Sequence, residues 1–449
     1  MSKQIKIKKG VNIKLKGKAE LVYGTVTPPS TFSIKPTNFH GLVPKLEVKK
    51  GDEVRAGSPL FSDKYNEKLK FVSPVSGEVV DIIRGEKRKL LEIKILADKD
   101  IRYDQFNVSD PTKLSDVQVK SALMHGGLWP FLRQRPYDVV ALPDKKPLAI
   151  YVSTFSSAPL SPDNDFILKG QKENFQTGLD AISKLCDGNL HLNVSSESNS
   201  EVFKNSKNVK INYFSGPHPT GNIGVQIHHI KPLNKGEVVW YINSQDVLAV
   251  GKFFREGKFD ATRIIALTGS SVKSPKYFKT LIGGCVKEFL KDNIEEGNFR
   301  VISGNVLTGI KITPEDHLGF YHDQITVIPE GNQPEFMGWL APGFNKFSLS
   351  GTFFSRFFSG KEYNLNTNMN GEERPFVMTG EYEKIFPMDI YPQQLLKAII
   401  IGDIELMENL GIYEVAPEDF ALCEFACTSK INAQEIVRKG LDLIQKECG

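Results

Sequence analysis

The sequence predicts a multidomain protein of mixed α/β and α+β class, built from four consecutive units. Three observations predict it. A chain of 449 residues is too long for one core and calls for two to four domains. The pattern of apolar residues changes three times along the chain: short alternating runs, then strands interleaved with helical runs, then a compact mixture, then helical periodicity. Finally, 40% hydrophobic and 24% charged residues are ordinary for a soluble globular chain.

Residues 1–105 read as β structure, because GLVPKLEVKKGDEV, SPLFSDKY, KLKFVSPVSGEVVDI and LLEIKILA alternate between glycine and proline turns. The basic run KIKKGVNIKLKGK at the start reads as a solvated edge strand, with a lipid-headgroup contact as the alternative. Residues 106–256 alternate strand (PLAIYVST, NLHLNVSS, VKINYFSG) and helix (GQKENFQTGLDAISKLC), which implies parallel pairing with helices on the faces. This is the pattern of a Rossmann-like domain, in which ligands sit at the carboxyl ends of the strands. Residues 257–335 form a smaller α+β unit from RIIALTG, PKYFKTLIG, FRVISGN and FYHDQITVIPEG as strands and CVKEFLKDN as a short helix. Residues 336–449 are a linker and a helical unit. Leu395, Leu396, Ile399, Ile400, Ile404 and Met407 fall on one helical face, and a last helix is expected over 432–447.

Charge and hydropathy exclude several functions. A net charge of +4 is too small for a nucleic-acid binder of this length. The longest apolar candidate, 395–407, is broken by Lys397, Asp403 and Glu405, so no stretch reaches the roughly 20 residues that cross a bilayer. MSKQIKIKKG lacks the apolar core of a signal peptide, which places the chain in the cytoplasm, with docking on a membrane protein left open. Five cysteines are too few for a disulfide scaffold and suit a reducing compartment.

Four stretches bear on chemistry. The run GDEVRAGSPL followed by SPVSGEVV resembles a biotinyl/lipoyl-type barrel-sandwich hybrid, with Lys64 near the place of the carrier lysine. The hairpin to Pro74 is longer than carriers use, so a structural barrel is expected. The stretch HGGLWPFLRQRPYD stands where a nucleotide-binding fold keeps its phosphate loop. Such a loop needs spaced glycines at a helix start, and only Gly126 and Gly127 are present, followed by Leu128, Trp129 and Pro130. Two readings stay open: a packed loop that has lost its ligand, or a cleft for a flat apolar ligand. In GPHPTGNIGVQIHHI, His228 and His229 are read as neighbours on a strand, pointing to opposite faces and unsuited to one metal with His218. Cys423 and Cys427 share one helical face, but two thiols do not hold an iron–sulfur cluster, so no metal is expected. Glu315, Asp316 and His317 lie in a turn-rich segment and are read as turn residues.

Taken with their order, GDEVRAGSPLF, SPVSGEVVDIIRGEKR, GGLWPFLRQRP, SGPHPTGNIGVQIHHI, LGFYHDQITVIPEG and NGEERPFVMTGEYEKIFPMDIYPQQLLKAI resemble the A subunits of the sodium-translocating NADH:quinone reductase over essentially the whole chain. The architecture is similar to the C subunit of Rnf complexes and the flavin-binding subunit of complex I. The resemblance implies a peripheral subunit on the cytoplasmic face of the bacterial inner membrane. Its complex couples electron transfer from NADH to ubiquinone or menaquinone to sodium export. FAD, FMN, riboflavin and an iron–sulfur centre belong to other subunits, and the membrane-embedded B subunit is the expected neighbour. It also implies that residues 257–335 are a ubiquitin-like unit of SLBB type. By the same analogy this chain has lost its flavin loop, and Cys423 and Cys427 are the remnant of a cluster site. A quinone site in the vacated place would use His125, Gly126, Gly127, Trp129, Phe131, Arg133 and Arg135. The alternatives are a docking scaffold alone, or a flavin-dependent NADH dehydrogenase subunit. No catalytic residue is expected in the chain itself.

Overall fold

The computed structural model describes residues 3–332, 335–338, 340–358 and 360–448. The N-terminal β unit packs two sheets face to face. One orders the strands Thr31–Ile34, Leu90–Ala97, Gly77–Arg84 and Glu53–Val54; the other orders Pro44–Leu46, Pro59–Asp63 and Lys70–Val72. Alternation decides which side chains enter the core: Phe32, Ile34, Phe61, Phe71, Val79, Ile93 and Ile95 point inward. Phe61 and Phe71 stack at 4.6 Å, and each such buried ring contributes about 1.5–3 kcal/mol.

Two early strands lie outside these two sheets. Lys3–Lys6 pairs in parallel with Lys210–Ser215 at the edge of the central sheet. Glu20–Tyr23 pairs in parallel with Lys276–Leu281 at the edge of the α+β sheet. A basic alternating run does signal an edge strand, but an open sheet edge accepts any such strand, so the pattern does not say which sheet.

The central sheet has seven strands in the order Lys3–Lys6, Lys210–Ser215, Leu190–Ser195, Ile150–Ser153, Val239–Asn243, Arg133–Arg135, Val139–Val140. The first five run parallel and the last two return antiparallel. Helices Lys172–Lys184 and Ser244–Glu256 cover one face through Phe175, Leu179, Ile182, Val247 and Val250. These two helices meet backbone to backbone at Gly178 and Gly251. A Cβ on Gly251 would lie 1.7 Å from the Asn174 carbonyl oxygen, so glycine is required there.

The opposite face is covered by the helix Ile223–Ile230, whose Ile223 and Ile227 pack on Tyr151, Val239 and Tyr241. His228 and His229 therefore sit on a helix and not on a strand. A short apolar run such as IGVQI fits either element by periodicity, and burial against the sheet selects the helix.

The α+β unit is a six-stranded mixed sheet: Ile310–Ile312, Phe299–Ser303, Gln324–Pro329, Thr262–Thr268, Lys276–Leu281, Glu20–Tyr23. Its core joins Ile265, Leu267, Phe278, Val301, Ile325 and Val327 to Phe289 of the short helix Lys287–Leu290. The C-terminal unit packs the helices Glu381–Ile385, Pro392–Ile401, Ile404–Asn409, Ala421–Ala426 and Ala433–Cys448. The expected single stripe over 395–407 is split. Gly402, at φ 73°, closes the first helix and turns the next away. Leu395, Leu396, Ile399 and Met407 are buried, whereas Ile400 is exposed.

Candidate functional site

All four units converge on residues 125–138. The helix Asp116–His125 starts with a Ser115/Gln118 capping box and ends at Gly126. A Cβ on Gly126 would lie 2.4 Å from the Phe253 ring, and one on Gly127 would lie 2.4 Å from Val72 of the β unit. Neither glycine leaves backbone amides open to a phosphate. Trp129 is fully buried; its indole N–H donates to the Ala141 carbonyl at 2.6 Å, and its ring meets Trp240 edge-on at 5.3 Å. Phe131 is buried and stacks on Phe320 of the α+β unit at 5.3 Å. The Tyr321 hydroxyl of that unit donates to the Pro130 carbonyl at 2.7 Å.

Polar contacts complete the junction. Arg135 is fully buried, donating to Asp419 at 2.8 Å and Glu418 at 2.7 Å, both from the C-terminal unit. Burial opposes the charge of Arg135, but Asp419 and Glu418 together raise its pKa above the ordinary arginine value. Arg133 is one-quarter exposed. Its guanidinium lies 4.8 Å from the Tyr321 ring centre and 5.2 Å from that of Tyr241, and it donates to Asp138 at 2.7 Å. Tyr137 and Asp138 both hold left-handed backbone, at φ 80° and 55°, a turn that aims the Asp138 carboxylate at Arg133 and at the Tyr241 hydroxyl. Burial pushes the Asp138 carboxyl up, yet Arg133 and Arg135 bring it below the ordinary aspartate value. Burial, first of all, holds the Tyr241 phenol well above its ordinary value.

The seven residues expected to share one cleft do not share one. Trp129, Phe131 and Arg135 are enclosed, the two glycines are packed, and His125 is exposed and edge-on to Phe106. Arg133 borders an open pocket, of about 170 Å³, whose wall also includes Phe39, His40, Asp138, Tyr321 and Arg438 but none of the other six. Sequence reasoning missed Tyr241, Tyr321, Asp138, Glu418, Asp419 and Arg438. The arginines at 133 and 135 signal the need for buried anions, but nothing local names carboxylates 284 residues away.

Cys423 and Cys427 are buried in the C-terminal core with Tyr382, Phe386 and Leu395. Burial holds the Cys423 thiol well above the ordinary range, and Glu383 adds to it. Among the described residues, no group of three or more His, Cys, Asp or Glu is disposed to hold a metal. In the native chain, iodoacetamide is expected to label Cys448, which is exposed, and then half-buried Cys285. Cys186, Cys423 and Cys427 should react only after urea. Peptide mass spectrometry reads the order, and native labelling of Cys423 would contradict the packing.

The histidines have structural partners. His228 lies 2.7 Å from Glu414 and accepts the Asp389 N–H at 3.0 Å, tying the sheet's helix to the C-terminal unit. His317 is not an open turn residue: it is buried, 2.9 Å from Glu92 and 3.1 Å from the Thr31 hydroxyl, because the β and α+β units close over it. Asp316 does cap its turn, accepting the Thr313 N–H at 2.8 Å. Burial opposes ionisation of Glu92, yet His317, Ser33 and Lys35 bring its carboxyl down to about 2. Lys64 is exposed after the strand Pro59–Asp63.

His218 is buried, with Ser157 Oγ 3.0 Å from its Nδ1, and burial lowers its pKa from 6.5 to about 4. The unfolded chain therefore binds that proton first. The stabilisation is full above pH 6.5 and is lost as the pH falls toward 4. Between those values the wild-type urea midpoint is expected to fall more steeply than that of His218→Gln. Parallel curves would show that His218 does not titrate this way.

Comparison with known proteins gives the following. Residues 5–98 match the family description "NqrA N-terminal barrel-sandwich hybrid domain". Residues 114–259 match "NqrA second alpha/beta domain", and residues 264–313 match "NQRA C-terminal domain". The chain is 38% identical over 447 residues to the A subunit of the Na(+)-translocating NADH-quinone reductase of Pasteurella multocida, covering 99% of this chain and all of the relative. The protein of the same name from Neisseria meningitidis serogroup C is 37% identical, again over 99% of this chain and all of the relative. An NAD+-reducing [NiFe]-hydrogenase crystal structure aligns at 12% identity and a TM-score of 0.38, covering 49% of this chain and 48% of that one, too loosely to carry an argument.

Proposed function

The chain belongs to the A subunits of the Na(+)-translocating NADH-quinone reductase, and from that premise we propose that it is a cofactor-free scaffold of the complex. In this reading it lies on the cytoplasmic face, against the membrane-embedded B subunit, while flavins and the iron–sulfur centre reside in other subunits. No helix among the described residues is long and apolar enough to cross a membrane, which fits a peripheral place. The central sheet is read as a Rossmann-like domain and the six-stranded unit as ubiquitin-like.

One observation carries the proposal. The loop that would cradle a flavin phosphate is filled by its own side chains, with Trp129 hydrogen-bonded inside and Gly126 and Gly127 closed by Phe253 and Val72. A flavin does not fit those residues, and the Cys423–Cys427 pair lies in apolar packing that offers a cluster no further thiolate among the described residues. The scaffold role follows from the same stretch, because it is where all four units are joined. Titration of the purified chain with FMN and FAD, followed by flavin fluorescence, tests this. No saturable binding is expected, and a stoichiometric complex would overturn it.

A second reading is favoured by the pocket at Arg133. Its volume, about 170 Å³, is below the roughly 300–1,000 Å³ of sites for drug-sized ligands, so it suits a single ring. Arg133 and the Tyr321 and Phe39 rings supply a cation and aromatic walls for a quinone headgroup. Saturable quenching by a short-chain quinone that Arg133→Ala abolishes would support this. Equal quenching in both chains would remove it.

A further inference from the structure

One segment inverts the ordinary rule of burial. Between residues 335 and 361 the hydroxyl-bearing Ser355 is buried at 4% exposure, while the phenylalanines around it face outward. Phe357 is 77% exposed, Phe358 54% and Phe354 51%; earlier in the segment, Phe336 is 92% and Leu340 62% exposed. These are not scattered residues. The Phe344 ring lies 5.7 Å from Phe354 and 6.3 Å from Phe358, and Phe354 lies 6.2 Å from Phe357, so four rings form one surface cluster. The backbone holds it there: Ser355 Oγ donates to the Lys346 carbonyl at 2.5 Å, and the Phe354 N–H donates to the Pro342 carbonyl at 2.9 Å. Exposed apolar clusters of this kind mark a surface that is covered in the working protein.

The rim says by what. Lys346, Arg356 and Lys361 outnumber the carboxylates Glu335 and Glu362 over residues 335–362, three cations against two anions, a net charge of +1. Glu335 is engaged by Lys346. Among the described residues neither Arg356 nor Lys361 has an ion-pair partner. Lys361 instead donates to the Phe344 carbonyl and the Asn345 side chain at 2.7 Å, with its ammonium 5.8 Å from the Phe358 ring centre. Aromatic rings flanked by unneutralised cations match the boundary of an anionic bilayer, where rings enter the headgroup–acyl zone and cations meet lipid phosphate.

We propose that the Phe344–Phe354–Phe357–Phe358 cluster, with Arg356 and Lys361, is a lipid contact that seats this subunit on an anionic membrane surface. The inference rests on the reading above that the subunit lies against the membrane. The test is co-sedimentation of the full chain with vesicles of phosphatidylcholine alone or mixed with phosphatidylglycerol. Binding to the mixed vesicles, weakened by salt, is expected. Phe357→Ser with Phe358→Ser should reduce the partition by more than about tenfold. Arg356→Glu with Lys361→Glu should abolish the preference for anionic lipid. Because these side chains are exposed, the variants should melt with the wild type, which separates lost contact from lost fold.

Two outcomes overturn the lipid contact: no binding of the wild-type chain to mixed vesicles, or variants that bind as it does. If vesicles fail but the Phe357→Ser, Phe358→Ser chain is lost from the detergent-solubilised complex, the patch is a protein interface and the scaffold reading stands. Failure of the wild-type chain to co-purify with membrane subunits would instead strike the scaffold reading.

Discussion

Arg135→Met is expected to destabilise the protein by about 3–5 kcal/mol, the usual cost of removing one member of a buried ion pair. The side chain is fully buried, and Asp419, also fully buried, would lose its cation. Asp419 has no room to relax: its carboxylate lies within 2.6 Å of where a Cβ on Gly224 would stand, and it already accepts the Ala416 N–H at 2.9 Å. Methionine keeps much of the length and apolar stem, so the loss reports the charge. Urea unfolding at neutral pH measures it. Removing both charges with Arg135→Met and Asp419→Leu should recover only part of the loss: no fully buried charge is left alone, but Glu418 still loses its cation and the buried Ala416 N–H its acceptor. A single variant within about 1 kcal/mol of wild type, the worth of an exposed pair, would refute this account of the clamp. The consequence for architecture is local. Arg135 joins the central sheet to the C-terminal unit, so its loss should also speed proteolysis between the two.

Trp129→Ala is expected to cost a similar about 3–5 kcal/mol, the range for deleting a buried aromatic side chain. Its indole is fully buried, with its ring edge-on to Trp240 of the central sheet. Losing the indole N–H also leaves the buried Ala141 carbonyl without that donor, adding about 1 kcal/mol or more. Trp129→Phe separates the two effects, because it keeps most of the ring and loses the hydrogen bond. Thermal and urea melts of the three chains give the comparison. An alanine variant as stable as wild type would mean that the loop is not packed and that a ligand space survives there. This is also why Arg133→Ala is the better probe for quinone: lost binding in Trp129→Ala would not be separable from lost packing.

Much of the molecule was legible in the chain because it depends on local pattern. Alternation in LLEIKILA and KINYFS placed strands, and helical spacing placed the last helix with Ile436, Val437, Leu441 and Ile444 inward, of which the last three are buried and Ile436 is half-buried. The family was legible too, in long runs such as SGPHPTGNIGVQIHHI. What failed locally was the short apolar run before His228, where burial decides between strand and helix, and the stripe that Gly402 divides.

The sequence by itself determined the order of the four units and the failure of the glycine loop, because Leu128, Trp129 and Pro130 are bulky wherever they are placed. Only the tertiary structure decided that this stretch is a junction and not a cleft. That outcome depends on Val72, Phe253, Tyr321 and Asp419, brought together from four separate units. Periodicity fixes which face of an element is apolar, but it carries no record of which distant element will cover that face.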